Sequence, residues 1–156
     1  IRPSEKKEPY ILMYGLEYSQ ELDRAVRYLR EKYGYSIVDI FPGVTKLKYI
    51  KYADECCSPG EFLRYIKDAA YVVTNSFHGT VFSIIFEKQF LTIPRTRQES
   101  RMADLLDSLK LSKNLWDAKR VRYTFDQDKT DYQAVKNRIK ELQKLSFRFL
   151  EGALNA

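Results

Sequence analysis

Short apolar runs alternate with helically spaced apolar residues along this chain, and that alternation leaves few folds open. Tyr10-Ile11-Leu12-Met13-Tyr14-Gly15-Leu16 is a continuous apolar run, the pattern of a strand buried on both faces. Ser19 is placed to cap the next segment, where Leu22, Val26 and Leu29 follow helical spacing and Gly34 ends the pattern. Residues 35–41 form a second apolar run, stopped by Pro42-Gly43. Strand, helix, strand at this spacing predicts two parallel strands joined by a right-handed crossover.

The alternation continues. Residues 44–57 read as a loop with a short strand near Tyr49 to Tyr52. Ser58-Pro59-Gly60-Glu61 carries a capping box: Ser58 as N-cap, Pro59 at the first helical position and Glu61 at the third. Phe62, Ile66 and Ala69 or Ala70 then supply the buried face. Residues 71–74 are a strand, and residues 77–87 a helix apolar nearly all round, hence buried. Residues 90–93 form a further strand closed by Pro94, and residues 100–109 a helix through Met102, Leu105, Leu106 and Leu109. Trp116 and residues 121–125 read as an irregular arm or short strand. Residues 131–154 are a long helix with Val135, Ile139, Leu142, Leu145 and Phe149 along one face. The pattern predicts an α/β fold: a Rossmann-like parallel sheet with helices on both faces.

At 156 residues the chain fits one domain with a real core, residues 10–156, preceded by a charged linker of residues 1–9 with two prolines. The linker has no apolar core for export, and the absence of an initiator Met suggests a processed or excised product. No stretch approaches the ~20 apolar residues needed to cross a bilayer. A net charge of +6 favours anionic ligands. The Lys and Arg residues are scattered and no reader motif occurs, which argues against nucleic acid. The two cysteines, Cys56 and Cys57, are adjacent. They would make a strained disulfide, fit a reducing, cytoplasmic compartment and, with one histidine, fall short of a zinc site. No metal and no cofactor is expected. Asp54 and Glu55 read as a surface acidic pair.

The only histidine sits in Thr74-Asn75-Ser76-Phe77-His78-Gly79-Thr80, where a strand meets a helix. Ligands of open α/β sheets bind outside the carboxyl ends of strands. A helix N-terminus there adds free N–H donors and partial positive charge, which suit an anion. The same residues also suit a purely structural turn, with Asn, Ser or Thr as cap and Gly for tight packing. The next strand ends in Pro94-Arg95-Thr96-Arg97-Gln98-Glu99-Ser100-Arg101. Parallel neighbours align their carboxyl ends, so these arginines can face the Ser76–Thr80 turn, and guanidinium forks bind phosphate and carboxylate. Arg101, one step inside the helix start, is the stronger candidate; Arg97 reads as solvated loop.

Competing chemistries are thin. No nucleophile elbow, phosphate-loop lysine motif or dinucleotide glycine fingerprint occurs. Asp39, near the end of the second strand, resembles a ribose-binding acid only superficially because the preceding glycines are missing. Ser76 and His78 lack an orienting acid for a hydrolase triad.

Residues 68–83, from Asp68-Ala69-Ala70-Tyr71 through Ser76-Phe77-His78-Gly79-Thr80 to Val81-Phe82-Ser83, resemble the polysaccharide pyruvyl transferase family. The resemblance takes in Ser58-Pro59-Gly60-Glu61-Phe62-Leu63 upstream, and Phe86-Glu87-Lys88-Gln89-Phe90 and Arg101-Met102-Ala103-Asp104-Leu105-Leu106 downstream. It implies the C-terminal half of a two-domain, glycosyltransferase-B-type transferase. Such enzymes move a pyruvyl group from phosphoenolpyruvate to a sugar, or a lipid-linked saccharide, as a ketal in cell-surface or exopolysaccharide. The family's histidine falls on His78. Ser76, Phe77, Gly79, Thr80, Arg95 and Arg101 are the expected binders of the donor's anionic groups. Some members carry Arg-Leu before the histidine where this chain has Ser76-Phe77, so that arginine's role passes to Arg95, to Arg101 or to the other half. The family's glycine-rich N-terminal segment has no counterpart here. The chain is therefore expected to fold alone but be inactive without its N-terminal domain, and to work in the cytoplasm, with peripheral attachment to the inner membrane as a compatible placement. The alternatives are a nucleotide-sugar glycosyltransferase domain and a non-catalytic anion-binding or assembly domain.

Overall fold

The computed structural model describes residues 8–41, 43–52, 58–95, 99–117 and 129–154. In chain order the elements are β1 (Tyr10–Tyr14), α1 (Gln20–Tyr33), β2 (Ser36–Asp39), β3 (Lys51–Tyr52), α2 (Pro59–Asp68), β4 (Tyr71–Thr74), α3 (Phe77–Ile85), β5 (Gln89–Thr92), α4 (Glu99–Ser108) and α5 (Tyr132–Leu154). The strands form one parallel sheet in the order β3-β2-β1-β4-β5. This is a Rossmann-like α/β fold. Leu12 pairs with Val38 on one side and Val72 on the other, which puts β1 at the centre.

Alternate strand residues feed two cores, as the period-two pleat requires. Ile11, Met13, Ile37, Val73 and Leu91 meet Leu22, Ala25, Val26 and Leu29 of α1, with Leu47 and Trp116. Tyr10, Leu12, Val38, Val72 and Phe90 meet the other face, built from Tyr65 and Ile66 of α2, Ile84 of α3, Leu106 of α4 and Val135 of α5. Local signals start and stop the helices where the residues predict. Ser19 accepts the Leu22 N–H, and Gly34 closes α1 in the left-handed region at φ 68°. The Ser58 capping box is formed in both directions.

Three expectations are corrected. β1 ends at Tyr14 rather than at residue 16, because the Leu16 N–H leaves the ladder to donate to Asn75 Oδ1 at 2.8 Å. The helix from Phe77 ends at Ile85 and is not buried all round: Ile85 is 59% exposed and His78 is exposed. In α5, Val135 is buried and Ile139 and Leu142 pack on the core, but Leu145 and Phe149 are exposed, while Ser146, Phe147 and Leu150 line a cavity with Ile84 and Ile85 of α3 and Leu105 of α4. Residues 121–125, the Cys56–Cys57 pair, Asp54, Glu55 and Arg97 lie outside the described residues. No helix among the described residues is long and apolar enough to cross a membrane.

Candidate active site

In this strand order the chain leaves β1 in one direction across the sheet and reaches β4 in the other. The carboxyl ends of β1 and β4 therefore flank the switch point, the place where open α/β sheets bind ligands. The turn with the histidine lies at the end of β4, beside the exit of β1.

Buried polar side chains hold that turn. Thr74 donates its hydroxyl to Tyr14 O at 2.7 Å and accepts the Ser76 N–H at 3.0 Å, so it joins two strand ends. Asn75, fully buried, accepts from Leu16 N at 2.8 Å and donates through Nδ2 to Glu17 O at 2.9 Å. Both backbone groups of the β1 exit are thus satisfied by one carboxamide, as buried polar groups require. Ser76 is the N-cap: its Oγ accepts the Gly79 N–H at 3.4 Å. The Ser76 carbonyl accepts from both Thr80 N, at 3.0 Å, and Thr80 Oγ1, at 3.1 Å. Thr80 Oγ1 also lies 2.9 Å from Thr92 Oγ1 on β5. Gly79 packs flat on β4 and β1; a Cβ there would run into the Thr74 side chain and come within 2.9 Å of Tyr14 Cδ1.

Among the residues expected to form the site, a division of labour follows. Ser76, Gly79 and Thr80 are buried and engaged within the turn. The Gly79 and Thr80 amides are taken by Ser76, which leaves the Phe77 and His78 amides at the first turn of α3. These two residues also carry the exposed side chains: Phe77 is half-buried, His78 open to solvent, and their rings meet edge to face at 6.3 Å. Arg101, in the first turn of α4, places its guanidinium carbon 4.8 Å from the centre of the Phe77 ring, a cation–π contact. Arg95, just past β5, pairs with Glu17 instead: Nε lies 2.9 Å from Oε1 and Nη2 donates to Oε2 at 3.1 Å. Histidine, phenylalanine and Arg101 thus form one exposed cluster, while Arg95 is tied to the β1 exit.

Asn75, Thr74 and Glu17 were not singled out by the sequence reading. A polar residue ending an apolar run was the only signal for the first two; Glu17 had none. Asp39, which resembles a ribose-binding acid only superficially, is fully buried and accepts the Phe41 N–H at 2.9 Å. Burial holds its carboxyl up at about 6, with nearby Asp23 adding to the rise and the Phe41 hydrogen bond opposing it. Ser76 is in no position to serve as a nucleophile, since its hydroxyl caps α3 in the buried interior. Among the described residues no three His, Cys, Asp or Glu side chains gather as metal ligands.

The profile of the polysaccharide pyruvyl transferase family matches residues 2–97, which include all five strands and the whole histidine turn. The chain belongs to that family. Within this pyruvyl transferase domain the match stops before Arg101, so α4 and α5 lie beyond it. No curated protein matches the chain. Among solved structures it is similar to spinosyn forosaminyltransferase SpnP, with a TM-score of 0.53 at 15% identity over 91% of this chain. That likeness is one of fold, the glycosyltransferase-B type. The chain spans 41% of the length of that neighbour.

Proposed function

We propose that this domain supplies the donor-binding wall of a transferase that moves the pyruvyl group of phosphoenolpyruvate onto a sugar as a ketal. The observation that carries the reading is the cluster at the switch point: two helix-terminal amides, an exposed imidazole and the Arg101 guanidinium, all from a turn the family profile covers or from the helix beside it. Phosphoenolpyruvate is a compact dianion or trianion with a phosphate and a carboxylate. Amides at a helix start and an arginine suit both groups.

The chemistry assigns the histidine. The enol phosphate's methylene carbon must gain a proton before C2 is electrophilic enough for an acceptor hydroxyl. That hydroxyl adds to C2 and loses its proton, phosphate departs with the C2–O electron pair, and a second hydroxyl of the same sugar closes the ketal with loss of its own proton. His78 is the group able to hold and deliver a proton here, either to the methylene carbon or to the departing phosphate. General acid catalysis of this kind is worth roughly 10²–10⁴-fold in rate. Ser76, Gly79 and Thr80 act by shaping the turn, and Arg95 and Arg101 by binding charge.

A switch-point crevice has two walls, and this chain builds one. The acceptor, a sugar or lipid-linked saccharide, would enter from an N-terminal domain on the other side, so the isolated chain binds donor without turnover. A cytoplasmic enzyme, with its acceptor at the inner face of the membrane, fits the substrate and the basic charge. The nearest competing reading is a nucleotide-sugar glycosyltransferase, which the fold of SpnP favours. Calorimetric titration of the chain with phosphoenolpyruvate and with a uridine-diphosphate sugar separates them. Binding of phosphoenolpyruvate alone, weakened by His78→Gln, supports the proposal; binding of the nucleotide sugar alone overturns it.

A further inference from the structure

We propose that Glu17 is the positioning residue for Arg95, holding that guanidinium edge-on so that its free edge receives the donor's anionic group. This rests on the donor-site reading above and assigns a role to a residue that neither the motif nor the family match singles out.

The contact is specific in its geometry. Glu17 lies against the Nε–Nη2 side of the guanidinium: Nη2 donates to Oε2 at 3.1 Å, and Nε, buried and without a hydrogen-bond partner, is 2.9 Å from Oε1 as an ion pair. A guanidinium has five N–H donors in a fixed plane. Contact on that side leaves the Nη1 amine and the outer Nη2 proton, on the adjacent edge, as the donors a second acceptor would use. Among the described residues no other acceptor engages Arg95. A phosphate or carboxylate can therefore bind without displacing Glu17.

Glu17 is itself fixed. Its carbonyl accepts the Asn75 Nδ2–H at 2.9 Å, and its neighbour Leu16 donates to the same carboxamide at 2.8 Å. Asn75 is fully buried and directly precedes the N-cap of the histidine helix. A continuous line thus runs from the buried end of β4, through the β1 exit, to the arginine past β5. Three strand ends are tied together on the rim where the ligand would sit. A free arginine side chain loses rotamer freedom on being fixed. Prior fixation by Glu17 removes part of that loss from the binding step. The carboxylate also lowers the local positive charge, and fixation is the larger effect in this proposal because Glu17 contacts a different edge from the one assigned to the ligand.

The test is a double-mutant cycle read by calorimetry on the full chain, titrated with phosphoenolpyruvate and with inorganic phosphate. Glu17→Gln keeps the shape but loses one acceptor and the charge, and Arg95→Ala removes the fork. If Glu17 acts through Arg95, Glu17→Gln weakens binding about 3- to 10-fold, Arg95→Ala about 10-fold or more, and the double variant is no weaker than Arg95→Ala alone. A merely structural Glu17 would give losses that multiply, and that result overturns the proposal. Tighter binding by Glu17→Gln overturns it too, since Glu17 would then be a competitor. If His78→Gln and Arg101→Ala weaken binding while the Glu17 and Arg95 variants do not, the donor-site reading stands and the role of Glu17 falls. Absence of binding to either anion by the unaltered chain overturns both. Melting temperatures of the variants, expected within a few degrees of the unaltered chain because Glu17 is half exposed, exclude unfolding as the cause.

Discussion

Arg101 and Phe77 come from different helices, yet the guanidinium carbon lies 4.8 Å over the centre of the phenylalanine ring. The contact fixes a cation beside the two amides that open α3, and it does so at the one edge of the sheet where three strand exits meet. It also explains why a large apolar residue stands next to the exposed histidine: the ring is a platform for the arginine.

Removing the cation should therefore cost more than removing the platform. Arg101→Ala is expected to weaken phosphoenolpyruvate binding about 10-fold, and Phe77→Leu about 2- to 5-fold, in line with ~0.5–1 kcal/mol for an exposed cation–π pair. Isothermal titration of each variant checks this. Unchanged affinity for Arg101→Ala would take that residue out of the site.

Asn75 supports two backbone groups of the β1 exit, the Leu16 N–H and the Glu17 carbonyl. Asn75→Ala leaves the Leu16 N–H and the Glu17 carbonyl without it, and the expected loss of stability is about 2–4 kcal/mol, from two part-buried hydrogen bonds. Urea unfolding followed by circular dichroism measures it. A loss under about 0.5 kcal/mol would mean that water replaces the carboxamide without penalty.

Asp39 makes stability depend on pH. Its folded carboxyl titrates near about 6, above the ~3.9 of an unfolded aspartate, so the folded state binds the proton more tightly. The contribution is fully present below about pH 4 and is lost as pH rises through 6. Asp39→Asn keeps an oxygen for the Phe41 N–H and never ionises. Its stability relative to the unaltered chain should climb between pH 4 and 7, by about 2 kcal/mol. Parallel stability profiles for the two proteins across that range would rule the effect out.

The last three turns of α5 carry Phe147, Phe149, Leu150 and Leu154 outward, Phe149 being 77% and Leu154 85% exposed. Neither Phe147 nor Phe149 lies in a packed core, so replacing both by Ser should leave the melting temperature within about 2 °C. The same change should reduce binding of a hydrophobic dye severalfold, because it removes much of the exposed apolar patch. A melting temperature lowered by ten degrees or more would show that the two rings are buried in solution.

Much of the molecule was legible without coordinates, and the reason is locality. Caps at Ser19 and Ser58 and the left-handed Gly34 act on amides and carbonyls within one turn, so three or four residues state them. Continuous apolar runs at residues 10–14 and 71–74 report burial on both faces, and from that the parallel sheet follows. The strand-end position of His78 could be read in the same way.

What tertiary structure alone decided is which residues of the turn face a ligand and which lock the scaffold. Ser76 and His78 stand two residues apart and look equally available in the sequence. One is buried as a cap and the other open, because α3 rotates its second residue outward as it packs on β4 and β1. The Asn75 clamp joins residues 58 and 59 positions away, and the Glu17–Arg95 pair spans 78. Such contacts depend on the order and register of strands, which bring distant segments to one rim. Apolar periodicity likewise marked one face of α5 as far as Phe149. It records that residues are apolar, and only the packing of α5 against α3 and α4 decides which of them are covered.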